Sequence, residues 1–275
     1  MAGLARSTSS STTGQRLDVR RAARMTDYWA TVYRRTWRGS AISSFIVPLL
    51  YVLAMGVLLG GFIEGDPAKL EGATSYLAFV VPGMLAAQSM TTVFGEVTYP
   101  VMAMIKWQRI YFGMIATPLS VPDIVFSHLG FVVFRVATVS AVFLAVTAPF
   151  GVYESVPGVL AAFFVQLLIG LAFATPVYAL SATLRNENGF ALVFRLGMIP
   201  MFLFSGAFFP VSNLGPFLET LARVTPLWHG VDLTRMLVLG RVDGPMALVH
   251  VVYLSALALV GWVLVTRQLQ KRLVD

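Results

Sequence analysis

Cysteine is absent from the 275-residue sequence, which removes disulfides, cysteine-ligated zinc and thiol nucleophiles together. Lysine is almost as scarce, and none of Lys69, Lys106 and Lys271 follows a glycine. The chain therefore has no Walker A loop to cradle ATP phosphates. His128, His229 and His250 are far apart along the chain and show no HExxH spacing, which argues against a metal site. Neither a G-x-S-x-G elbow nor a paired acidic cluster for magnesium diphosphate occurs. Charge itself is thin, at 12% of residues against about 25% in soluble chains. These absences exclude most enzyme classes.

What remains is apolar. With 57% hydrophobic residues and a mean hydropathy of +0.77, the composition is that of a membrane protein. At roughly 20 residues per spanning helix, about six spans fit. The hydrophobic runs place them at about 41–63, 76–97, 124–147, 156–184, 190–209 and 246–265, an all-α arrangement. Residues 1–15 are Ser/Thr-rich and aperiodic, so a disordered tail is expected, and no apolar core follows to make a secretory signal. Over residues 19–38, Val19, Ala23, Thr26, Ala30, Tyr33 and Trp37 form one stripe, with Arg20, Arg24, Arg34, Arg35 and Arg38 largely elsewhere. That pattern predicts an interfacial helix lying at the headgroups.

The net charge of +7 is concentrated before the first span, which fits anionic headgroups better than nucleic acid. Alternating the loops puts Arg6–Arg38, Lys106, Arg109, Arg185, Arg267, Lys271 and Arg272 on one side. Glu64, Asp66, Lys69, Glu71 and Glu154 fall on the other. The basic side is cytoplasmic by the positive-inside bias, so both termini are expected inside.

The stretch from Tyr99 to Asp123 separates the second and third spans. Lys106, Gln108 and Arg109 interrupt its apolar character and Pro118 and Pro122 stop a helix, so it cannot itself be a span. It reads as a short helix over 105–115, too apolar for a solvated turn, with Trp107, Ile110, Tyr111, Met114 and Ile115 on most sides, to be shared between membrane helices and another protein.

Charges inside spans are the other signal. Arg135 lies near the middle of the third span, where an isolated arginine costs about 2.5–3.5 kcal/mol. His128 shares its helix face, and Gln88 and Glu96 share a face of the second span. A Glu96–Arg135 pair could line a substrate route or simply hold two helices together. Phe204 and Phe208 belong to an aromatic run that suits helix packing or an acyl path. On the outer side, the runs 214–224 and 231–239 are too short to cross and read as a re-entrant hairpin. There Trp228, His229, Asp232 and Arg235 are candidates for an outer gate, or Asp232 and Arg235 form an ordinary i,i+3 pair.

Three segments, 76–90, 105–125 and 201–235, resemble the permease of ABC-2 type exporters, closest to the nodulation-factor exporter branch. The similarity runs in order over roughly residues 25–265, although Phe112 and His128 stand where the resemblance implies acidic residues. It implies a multi-pass permease of the bacterial inner membrane, acting with a second copy or a homologous permease and two separate ATP-binding subunits. The helix at 19–38 would be a connecting helix. Lys106, Trp107, Arg109, Ile110 and Tyr111 would couple to the ATPase. This chain would bind no cofactor, ATP and magnesium residing on the partner. The cargo would be an amphiphile such as a glycolipid, lipid-linked saccharide or hydrophobic drug. The rival reading is an ion-coupled secondary transporter with a Glu96/His128/Arg135 relay, for which internal repeats would be expected.

Overall fold

The computed structural model describes residues 17–59 and 70–274, and among these all regular structure is helical. The expected tail, and Glu64, Asp66 and Lys69 of the acidic loop, lie outside the described residues. The chain opens with α1 (Val19–Ala23) and α2 (Thr26–Tyr51), which passes into a π-helical stretch, Val52–Leu59. It continues with α3 (Tyr76–Val97), α4 (Tyr99–Met102), a second π stretch (Ala103–Trp107) and α5 (Ile110–Ile115). Then come α6 (Val121–Thr147), α7 (Val156–Thr183), α8 (Asn188–Leu192), a third π stretch (Val193–Met198) and α9 (Ile199–Phe204). The last elements are α10 (Pro216–Val224), α11 (Pro226–Val238) and α12 (Gly244–Leu273).

Three of the long helices, α6, α7 and α12, start where a polar cap meets a proline in the first turn. Ser120 caps α6 in a reciprocal box with Asp123, Ser155 caps α7 through the Gly158 N–H, and Asp243 caps α12 through Met246. Each arrangement satisfies N–H groups the helix leaves orphaned, and proline there gives up no bond. Helix α3 is the centre and is buried along most of its length, whereas α12 turns most of its surface outward. Helix α12 lies close against α7 because Gly261 has no side chain. A Cβ there would come within 2.2 Å of Thr175 Oγ1 and 2.8 Å of Pro176 Cδ.

Among the described residues, Tyr76–Trp107, Val121–Phe150, Val156–Thr183 and Gly244–Leu273 are long and apolar enough to cross a membrane. A bent N-terminal pair raises the count from 4 to at most 5. The expected fifth span corresponds to the helical run Asn188–Phe204, shorter than the roughly 20 residues a crossing needs.

Two features of the first half of the chain bear on the expectations. The N-terminal helix is set off from the next by a 44° bend between Val19–Gly39 and Ser44–Met55, close to the expected boundary. It packs along α6, with contacts advancing from Asp18–Asp123 through Trp29–Ser127 to Tyr33–Phe134. Its buried face is Ala22, Met25 and Trp29, while Val19 and Trp37 of the expected stripe are exposed. The sequence there is apolar on two faces, and packing selected the one that stacks Trp29 on Phe131 at 4.7 Å.

A correction does apply to Tyr99–Asp123. Its beginning continues the second span as one apolar run, Tyr76–Trp107, bent at Thr98 (φ −94°, ψ −95°). Pro100 does not stop it because it occupies a new first turn, where its missing N–H costs nothing. The single helix over 105–115 does not form. Gln108 and Arg109 break it, Arg109 adopting a left-handed φ of 53°.

Candidate functional site

The break at Arg109 turns Trp107, Gln108 and Arg109 outward, and Trp107 is 55% exposed. Lys106 reaches across to Glu187, in the turn between α7 and α8, at 3.4 Å. That exposed carboxyl is held below the usual glutamate range, first by its own backbone N–H and then by Lys106. Ile110 is half-buried. Tyr111 faces inward and is fully buried, so it presents no surface to a partner. Its hydroxyl hydrogen-bonds His128 Nδ1 at 2.5 Å and the Tyr178 hydroxyl at 2.7 Å. Burial, and then Tyr178, push the Tyr111 phenol well above its ordinary pKa, so it remains protonated. One buried hydroxyl thus ties α5 to α6 and α7.

A second link reaches the N-terminus. The buried Asp123 carboxylate accepts from the N–H groups of Asp18 (2.7 Å) and Ser120 (2.9 Å) and pairs with Arg21 at 3.4 Å. Arg21 also donates to the Pro118 carbonyl at 3.0 Å. The segment after α5 is thereby fastened to α1.

Above this lies a pocket of about 270 Å³ between α2, α3 and α6. Its lining includes Gln88, Glu96 and Arg135 with Ser44, Thr91 and Thr92. Arg135 Nε donates to Glu96 Oε1 at 2.8 Å and its guanidinium lies 5.8 Å from the Tyr33 ring centre. The pair neutralises an arginine in an apolar helix while leaving polar edges open to the pocket. His128 is not part of this lining. It is buried against Trp29 and Tyr178 and serves the Tyr111 contact. Phe204 and Phe208 also lie outside it. Phe204 is partly exposed on α9, and Phe208 packs on Phe202 at 5.1 Å while its carbonyl accepts from the Tyr76 hydroxyl.

The candidate gate residues on α11 are brought together with partners the sequence did not suggest. Arg235 is only 4% exposed. It pairs with Glu71, donates to the Gly206 carbonyl at 2.6 Å and the Phe79 carbonyl at 3.4 Å, and lies 3.9 Å from the Phe79 ring centre. Asp232 accepts instead from His250 Nε2 at 2.9 Å, so Asp232 and Arg235 do not form the ordinary helical pair. His250 Nδ1 meets His229 Nδ1 at 2.7 Å, although the two lie 21 positions apart in the chain. Trp228 covers both rings, edge-on at 5.0 and 5.2 Å. Among the described residues no group of three or more acidic or histidine side chains is arranged to hold a metal ion.

Sequence reasoning missed Trp29, Asp123, Tyr178, Glu71 and His250. Only Asp123 carried a local signal, as the N3 member of a capping box after Ser120.

Residues 25–239 match the family model described as ABC-2 type transporter. The chain is similar to Nodulation protein J of Sinorhizobium fredii, 30% identical over 90% of this chain and 94% of that protein. It is 31% identical to Nodulation protein J of Rhizobium meliloti over 89% of this chain and 94% of the relative. Inner membrane transport permease YadH of Escherichia coli K12 is 26% identical, over 86% and 90% of the two chains. No solved structure matches.

Proposed function

The chain belongs to the ABC-2 type transporter family, a family of multi-pass transport permeases that work with an ATP-binding subunit, and from that premise we propose that it is the membrane half of an ATP-driven exporter. In this reading two permeases, identical or similar, join two separate ATP-hydrolysing subunits in the bacterial inner membrane. In this reading the chain leaves ATP hydrolysis to those subunits, having no phosphate-cradling loop of its own. Six spans result if the bent N-terminal pair and the Asn188–Phe204 run each cross, the latter extended by flanking residues. Both termini then face the cytoplasm, on the arginine-rich side. The cargo is an amphiphile, such as a glycolipid, lipid-linked saccharide or hydrophobic drug. Its polar end meets Gln88, Glu96 and Arg135 in the open pocket.

The observation that carries the mechanism is the contrast within one turn. Trp107 and Arg109 are presented outward, and Tyr111, two residues on, is bolted to α6 and α7. A subunit that pushes the exposed residues moves the buried hydroxyl, and with it the helices flanking the pocket. The outer helices α10 and α11 cap the route.

Charge reversal of Arg109→Glu combined with Trp107→Glu tests this, because both residues lie on the surface and the fold has no need of them. Normal membrane insertion with loss of ATPase retention and export is the expected result. Unchanged export would refute the coupling role of this turn.

A further inference from the structure

A groove of about 560 Å³ lies between α1, α2 and α6, separate from the polar pocket and from the coupling turn. Its floor is built from small residues, Ala23 and Ala30 on one side and Gly130 on the other. A Cβ added at Gly130 would meet no atom within 4 Å, so the hollow stands directly over that glycine. Phe126 and Phe134 form walls. At the base, Trp29 Nε1 is satisfied internally by Ser127 Oγ at 2.8 Å, which leaves an apolar surface facing the hollow. Arg34 is the one charged residue of the lining, and Arg20, Arg24, Arg35 and Arg38 are exposed on the same helical stretch.

The volume falls within the roughly 300–1,000 Å³ of small-molecule sites, which are likewise mostly apolar with a few fixed polar groups. A flat lipid-facing helix surface needs no such hollow, and an ordinary apolar protein contact does not need an arginine in its lining. An acyl chain with an anionic head satisfies both features. The apolar length takes the chain, and Arg34 takes the phosphate. We propose that this groove binds one anionic phospholipid as a discrete ligand, with an acyl chain along Ala23, Ala30 and Gly130 and its phosphate at Arg34.

The ligand would brace the α2–α6 contact from outside, next to the helix that holds His128 against Tyr111. The proposal requires only that the chain is embedded in a bilayer, so it stands or falls apart from the exporter reading.

Native mass spectrometry of the purified full chain, stripped of lipid and re-supplied with phosphatidylglycerol or phosphatidylcholine, provides the test. Wild-type protein should retain one phosphatidylglycerol per chain under activation that removes phosphatidylcholine. Arg34→Gln should weaken that retention about fivefold, the contribution of a single arginine beside an anionic lipid. Gly130→Trp should abolish it by filling the hollow, and Ala30→Trp should do so from the opposite wall, so that either variant suffices if the other fails to fold. Val260→Trp, on an exposed face of α12 away from the groove, should leave it unchanged. Equal retention of the two lipids, or equal retention by wild type and both groove-filling variants, would overturn the proposal. No retained lipid in the wild type would overturn it too, and would leave the groove to a protein segment.

Discussion

The two ends of the molecule are held in opposite ways. At the end formed by α11, Arg235 is enclosed and engages Glu71, Gly206 and Phe79, while Asp232, His250 and His229 form a hydrogen-bonded chain beside it. At the turn around Arg109, the Lys106–Glu187 pair and Arg109 are exposed and α5 has one buried tyrosine for its polar anchorage, the buried Asp123 holding only the segment that follows. A buried charge with several partners resists displacement, because moving it strands each partner in turn. An exposed pair costs little to break. The difference suits a machine with a fixed outer cap and a movable lever.

The sharpest way to break this comparison is at Arg235. Arg235→Ala leaves Glu71 and two carbonyls without their donor, and a loss on the order of 3–5 kcal/mol is expected. The chain should unfold in detergent at a much lower temperature than wild type, as followed by tryptophan fluorescence. A drop of less than 1 kcal/mol, estimated from the midpoint, would mean the cap is not held as described.

Next in size is the polar pocket. Glu96→Gln replaces the carboxylate that accepts from Arg135 Nε with a neutral amide and should cost about 1.5–3 kcal/mol. The exchanged double variant Glu96→Arg with Arg135→Glu should recover that stability. If the pocket also receives the cargo, export should remain impaired in the stable double variant. Full recovery of export would assign the pair to helix packing alone.

At the lever, Tyr111→Phe removes one hydroxyl shared by His128 and Tyr178, for an expected loss of about 1–3 kcal/mol. Because this anchor is internal, the ATPase subunit should still bind while hydrolysis and export become uncoupled. Loss of binding instead would place Tyr111 at the contact surface, contrary to its burial.

The smallest effect is expected at Lys106. Lys106→Gln should barely change thermal stability at neutral pH, since exposed pairs are worth little. Glu187 has a lowered pKa in the folded chain, so its contribution is present above the ordinary glutamate pKa of roughly 4.3 and fades as pH falls through the lowered value. Lys106→Gln should shrink that acid-dependent part without removing it, because the backbone bond to Glu187 is the larger cause. Stability scans of the two proteins from neutral pH into the acid range check this.

Much of this architecture was legible in the chain itself. Apolar runs of membrane length located the main helices, and Pro122, read as a helix boundary, sits in the first turn of α6. The eight-residue spacing of Gln88 and Glu96 put both on one face, and both do line the same pocket. The contacts that decide how parts move were not legible. Arg235 and Glu71 are 164 positions apart, and Tyr111 and Tyr178 are 67 apart. Helical periodicity reports which residues share a face, but not which foreign helix meets it. The N-terminal helix shows the same limit, because its sequence offers one apolar face to α6 and another to the groove. The split at Arg109 was hidden for a different reason: no glycine marks the left-handed position.

The most direct measurement is the mass and composition of the complex recovered through a tag on this chain, from its own host and with nucleotide present. Two permease chains with two ATP-binding subunits are expected, and the Trp107→Glu, Arg109→Glu chain should come away without the latter. A wild-type complex that contains no ATPase, even after mild crosslinking, would contradict the exporter assignment.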